Sequence, residues 1–306
     1  MIESVLLWIC ALAAAPLFAG IIFKVKAFFG GRRGAPLLIN YHTLIKLLKK
    51  GSVYSTSTTA IFKLGPLVSL AAAATVLLFL PIAGHAPVLS FNGDMIFILY
   101  LMGLARFFTI AAAMDTASPF EGMGAAREAF FPIICEASLF MILILFYRLT
   151  GELKAAAYFA GARPAGLWHA AGSPMLFVVI ALFIVLLTEN ARAPVDDPTT
   201  HLELTMIHEV MVLDHSGPDL AFIEMGSYFK LFFYAAMIAC LILPGEPGQG
   251  LARIAMFVVG LAIVYAAIGL MESIMARYRM ERVPKFVLTA FALAFFATVI
   301  TLEFLR

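Results

Sequence analysis

Charge is what this 306-residue sequence has least of. Asp, Glu, Lys and Arg make up 13% of it, against 63% hydrophobic residues. A soluble domain carries about 25% charged residues, so this balance excludes an ordinary soluble fold and points to an all-α polytopic membrane protein. Cysteine is equally scarce. Cys10, Cys135 and Cys240 stand far apart in apolar runs, with no CxxC pair. That spacing argues against an iron–sulfur or zinc site in this chain and reads as three small core residues. The sequence has no phosphate-binding loop, no paired-glycine dinucleotide fingerprint and no nucleophile elbow. No catalytic residue, metal or cofactor site is therefore expected here. Gly122-Met-Gly124 reads as no more than a turn. The net charge of +2 carries no nucleic-acid signal.

What acid there is lies largely in one place. The stretch from Glu189 to Glu224 holds eight of the 19 carboxylates: Glu189, Asp196, Asp197, Glu203, Glu209, Asp214, Asp219 and Glu224. Arg192 is its one Lys or Arg. Acid gathered between apolar spans of a membrane protein handles cations, protons or a basic partner surface.

The first apolar span runs from Ser4 to Phe23. No base precedes it, while Lys24 and Lys26 follow, the reverse of a signal peptide. A retained helix with its N-terminus outside is expected. Residues 36–50 then place Leu37, Tyr41, Leu44, Ile45 and Leu48 on one helical face and His42, Lys46, Lys49 and Lys50 on the other. This predicts an amphipathic surface helix with Pro36 in its first turn, acting as a brace or as a gate. Seven more apolar runs follow, near Leu64–Ala83, Met95–Met114, Phe131–Tyr147, Met175–Thr188, Tyr228–Leu243, Leu251–Met271 and Phe286–Leu305. A spanning helix needs about 20 residues. The two short runs beside the acidic stretch are expected to end in protein rather than lipid. Pro66, Pro81, Pro132, Pro194 and Pro244 are expected at ends or kinks. Eight spans form one membrane domain, with an acidic loop near 189–225.

Orientation follows from the bases. Connections after the odd-numbered spans hold 14 of the 21 Lys and Arg, and the other side holds five. Both termini are expected outside and the acidic loop in the cytoplasm. Arg106 and Lys230 fall within spans.

His201, His208 and His215 recur every seven residues. On one helix they would share a face about 10.5 Å apart, too far for a single metal. They read as satisfied polar residues or as proton carriers. Glu136 lies inside a span, where an ionised carboxylate costs about 2.5–3.5 kcal/mol. Two readings stand for it: a structural ion pair with Arg106 or Lys230, or a proton relay that includes Glu128, Glu189 and Glu272.

At these residues a family resemblance appears. GRRGAP with its surface helix, LARFFTIAAAMDTASPFEGMGAAREA, Glu136, ENARAPVD, the Asp214-His-Ser-Gly turn and MESIMARYR occur in order over nearly the whole chain. They resemble the family of membrane proteins known as subunit one of respiratory complex I. The nearest branch is the membrane subunit of energy-converting group-four hydrogenases such as formate hydrogenlyase. The resemblance implies a membrane protein that anchors a soluble redox arm and couples electron transfer to proton or sodium translocation. By resemblance Glu128, Glu136, Glu189, Asp196 and Glu203 start the proton path, and Glu272 matches a family glutamate. Asp197, Glu209, Asp214 and Glu224 join them as candidates, with Arg106 and Lys230 as buried bases. Arg192, His201 and His208 are candidates for partner docking.

A NiFe centre and iron–sulfur clusters are implied for partner subunits, hydrogenase-like and iron–sulfur, and antiporter-like membrane subunits are implied alongside. The sequence departs from the family's Glu-rich run at Asp197-Pro-Thr-Thr-His201, in a longer stretch between Glu203 and Asp214, and at Ala35-Pro36. These departures point to a branch with a different terminal acceptor, protons among the choices. The quinone-binding subunit of an NADH-quinone oxidoreductase and a stand-alone cation transporter are the alternatives.

Overall fold

Helix is the only regular structure among the residues that the computed structural model describes, 2–196, 206–243 and 250–304. The order is α1 (Ile2–Phe29), α2 (Ile39–Leu48), α3 (Ala60–Val76), α4 (Asp94–Asp115), α5 (Pro119–Thr150), α6 (Ala155–Phe159), α7 (Arg163–Ala171), α8 (Pro174–Glu189), α9 (Gly217–Ile242), α10 (Gly250–Ile274) and α11 (Val283–Phe304). The eight apolar runs coincide with α1, α3, α4, α5, α8, α9, α10 and α11. Six of these are long and apolar enough to cross a membrane. The other two, α3 and α8, have 17 and 16 residues. At 1.5 Å per residue they reach about 25 Å, short of a hydrocarbon core of about 30 Å. The last turn of α8, from Ile184 to Glu189, is buried in protein, where a short helix can end without exposing its carbonyls to lipid.

The helix α9 is the axis of the bundle. From Tyr228 to Leu241 every residue except Lys230 is buried. A helix that is apolar all round belongs in a core, and α9 packs on α3, α10, α1, α2 and α8. On one side α5 packs against α11, α4 and α8; on the other α1 packs against α10.

Several boundaries differ from the sequence expectation. The surface helix is Ile39–Leu48 rather than 36–50. Pro36 opens a turn before it, its carbonyl accepting the Ile39 amide at 3.0 Å. Asn40 and Leu44 are its buried residues, while Leu38, Ile45 and Leu48 stay exposed. Pro66 and Pro132 lie inside α3 and α5, and Pro244 falls outside the described residues. Gly122 and Gly124 lie in α5, not in a turn. The acidic stretch is not all loop either. The helix α9 begins at Gly217, well before the apolar run, so Asp219 and Glu224 are helical. No single helix carries the histidines, because Glu209–Val212 is a short 3-10 turn between His208 and His215.

Candidate functional site

Arg106, on α4, reaches into the bundle and meets two carboxylates. Its Nη1 donates to Glu136 Oε1 on α5 at 2.6 Å, and its Nη2 donates to Glu189 Oε1 and Oε2 at the end of α8, at 2.8 and 3.0 Å. Lys230 Nζ, from α9, lies 2.9 Å from Glu189 Oε2. The Glu189 side chain is fully buried and held by both cations, whereas the Glu136 side chain is 36% exposed on the flank of α5. These charges sit together because each compensates another. Removing one partner of a buried pair leaves a charge that the low-dielectric interior cannot solvate.

Glu128, two turns before Glu136 on α5, completes the cluster differently. It makes no direct ion pair with either cation and lines a cavity of about 70 Å³ with Arg106, Glu189, Asn190, His208 and Lys230. A second, larger cavity of about 520 Å³ lies between α1, α2, the α8–α9 connection and α9. Its walls mix apolar Phe23, Ile39 and Leu231 with polar Asn40, Arg192, Asp196 and Tyr228.

The remaining candidates fall in separate places. Asp196 pins the connection: Oδ1 is 2.9 Å from Arg277 Nη2, and Oδ2 accepts the amides of Ile207 and His208 at 2.9 and 3.2 Å. Glu272 is paired with Lys26 at 2.9 Å and Arg192 at 3.4 Å. Arg192 is thus turned inward rather than presented to a partner. Glu209 and Glu224 line the large cavity. Asp214 is exposed. Asp197, His201 and Glu203 lie outside the described residues.

The structure also brings in residues that carry little signal in the sequence. Asn190 lines both cavities; its one sequence signal is adjacency to Glu189. Glu121, 1% exposed, accepts the Asp214 amide at 3.1 Å and ties α5 to the connection. Asp94, fully buried near the opposite end of the bundle, accepts the Ala155 amide at 2.7 Å and the Ser90 hydroxyl at 3.2 Å. Nothing in local sequence marks that brace.

Two histidines of the connection lie away from bulk water. Burial holds His208 below the usual histidine value; Lys230 adds to this, while Asp196 and Glu224 oppose it. His215 stacks on Phe62, with ring centroids 3.9 Å apart, and burial lowers it against the opposing charges of Asp219 and Asp214. Among the described residues no group of three His, Cys, Asp or Glu is placed to hold a metal.

Known proteins match this chain over nearly its full length. Formate hydrogenlyase subunit 4 of Escherichia coli is 29% identical over 294 residues, covering 94% of each chain. Hydrogenase-4 component C of the same organism is 29% identical over 241 residues, 79% of this chain and 75% of that one. A membrane subunit of the NADH-quinone oxidoreductase of a Geobacillus species is 27% identical over 230 residues, 72% and 67% of the two chains. The fold is that of a chain in the membrane-bound sulfane sulfur reductase, an archaeal respiratory membrane complex, with a TM-score of 0.81, 22% identity and 98% of both chains covered. A sequence model described as NADH dehydrogenase matches residues 2–302. This multi-pass, all-helical chain belongs to the NADH dehydrogenase family.

Proposed function

We infer that this chain is the membrane subunit of a hydrogenase-type, complex I-like oxidoreductase, and that it moves protons through the Arg106 cluster. Its likeness to formate hydrogenlyase subunit 4 and hydrogenase-4 component C along most of the chain supports the assignment. The soluble redox subunits, which hold the NiFe and iron–sulfur centres, dock over the acidic connection on the cytoplasmic side, and antiporter-like subunits flank the bundle in the cytoplasmic membrane. Its eight apolar helices all cross, with both termini outside.

One observation carries the proton reading: two cations face three carboxylates. Arg106 and Lys230 are taken up by Glu136 and Glu189, and Glu128 has no cation of its own. The cluster is electroneutral only with one proton aboard. A small shift of Arg106 or Lys230 between partners moves the place where that proton rests. This is how a buried ion-pair network couples a movement to a titration.

The test is Glu128→Gln in the intact complex, reconstituted in liposomes and compared at equal amounts of assembled protein. Electron transfer is expected to continue while proton translocation per electron falls. Full coupling in that variant would remove the proposal.

A second reading rests on the large cavity. Its volume of about 520 Å³ and its mixed lining suit an amphiphile with a polar head, as quinone binding requires. Quinone reduction that outpaces hydrogen evolution in the purified complex would favour it. Ion transport by the chain alone in liposomes would instead indicate a stand-alone transporter.

A further inference from the structure

The two cavities share a wall. Asn190, His208, Ile223 and Ser227 line both the large cavity and the small one beside Glu128. Three of the four cannot exchange a proton near neutral pH. Ile223 is apolar. Ser227 Oγ turns back to its own helix and donates to the Glu224 carbonyl at 2.8 Å. Asn190 Nδ2 donates to the Leu186 carbonyl at 2.8 Å, and its buried Oδ1 has no partner among the described residues. Only His208 titrates in that range.

The segment that carries His208 is fastened from three directions. Asp196 accepts the amides of Ile207 and His208, and is itself held by Arg277. Arg127 Nη1 donates to the Met206 carbonyl at 2.8 Å. Gly124 of α5 lets Val210 and Ile207 approach so closely that an added Cβ would meet Val210 Cγ1 at 2.3 Å and the Ile207 carbonyl oxygen at 2.9 Å. A side chain held this way stays in the wall.

We propose that His208 passes protons through this wall, from the large cavity to Glu128. The inference rests on the reading of the Arg106 cluster as a proton site. A neutral imidazole has one bare nitrogen and one N–H. The bare nitrogen takes a proton from water in the large cavity. The opposite N–H releases its proton across the small cavity, whose 70 Å³ has room for about two waters. The Glu128 carboxylate accepts that proton. One proton enters and one leaves, and ring rotation restores the starting tautomer.

The groups around the ring suit this cycle. Lys230, Glu224 and Tyr228 come from α9; Arg192, Asp196 and Glu209 from the connection; Glu128, Arg106 and Glu189 from α5, α4 and α8. Burial and Lys230 favour the neutral ring, against the pull of Asp196 and Glu224.

The experiment uses the complete complex in liposomes, with proton translocation and electron transfer measured for His208→Ala, His208→Gln and Glu128→Gln. In both His208 variants translocation is expected to fall by on the order of a hundredfold, the low side of what losing a proton-transfer group costs. Added imidazole should restore it in His208→Ala and leave Glu128→Gln unchanged. Should His208→Ala fail to assemble, His208→Gln decides by its translocation alone. Coupling retained in the His208 variants but lost in Glu128→Gln sinks the His208 inference alone. So does a loss in His208→Ala that imidazole does not reverse. Coupling retained in Glu128→Gln sinks the reading of the cluster itself.

Discussion

Arg106 and Glu189 are 83 residues apart in the chain, and the guanidinium bridges both carboxylate oxygens, at 2.8 and 3.0 Å. With Lys230 on the other side of Glu189, this forms the electrostatic centre of the bundle. Glu136 shares Arg106 but sits half-open on the flank of α5.

The two carboxylates should therefore differ in what their loss does. Glu189→Gln leaves two buried cations with one partner and should destabilise by about 3–5 kcal/mol. Glu136→Gln should cost less, because its exposed flank is screened. Melting temperatures of the purified variants check the order. Equal losses would show that Glu136 is as confined as Glu189.

Gly124 and Gly122 form a matched pair on α5. A methyl at Gly124 collides with Val210 and Ile207, while one at Gly122 meets nothing within 4 Å. Gly124→Ala should destabilise by about 1–3 kcal/mol by pushing the 206–212 segment outward. Gly122→Ala should be neutral or mildly stabilising, since Ala is the better helix former. Thermal unfolding in detergent distinguishes them.

His215 supplies a pH dependence with a definite sign. Its folded value lies below the ordinary 6.5 because of burial. As pH falls below 6.5 the unfolded chain takes up a proton that the folded ring resists, so stability present above that value is lost on acidification. His215→Phe keeps the stack on Phe62 and removes the titration. Its melting temperature should decline less between pH 7 and pH 5 than that of the parent. An identical slope would place the titration elsewhere.

Leu213 is 52% exposed on the acidic connection. A photo-crosslinking residue there should capture a soluble redox subunit in membranes that contain the whole complex. Capture of lipid alone would refute docking on this face. His208 is a poorer probe position, since it faces the cavities.

Single cysteines test the orientation. With Cys10, Cys135 and Cys240 replaced, Ala162→Cys should react with an impermeant maleimide from outside, and Ser55→Cys only after the membrane is opened. Both positions are exposed. The reverse pattern would invert the topology.

Much of the fold was legible in the sequence because the free energy of placing a segment in a bilayer is close to a sum over its residues. The eight apolar runs became eight helices, and the acid between two of them marked the place where chemistry collects. Two bases within apolar runs, Arg106 and Lys230, required buried partners whatever the topology. Ends were less legible. The helices α5 and α9 each begin well before their apolar runs, because protein rather than lipid surrounds those first turns. Local composition could not assign the partners. Glu128, Glu136 and Glu189 are equivalent as residue types, yet one is open to a cavity, one half-exposed and one clamped twice. That distinction arises where α4, α5, α8 and α9 converge, and the Coulomb energies that decide it depend on distances of a few ångströms between residues far apart in the chain. The position of His208 between two cavities has the same origin: helix packing and the grip of Asp196 on its backbone decide it, and neither can be read from residue order.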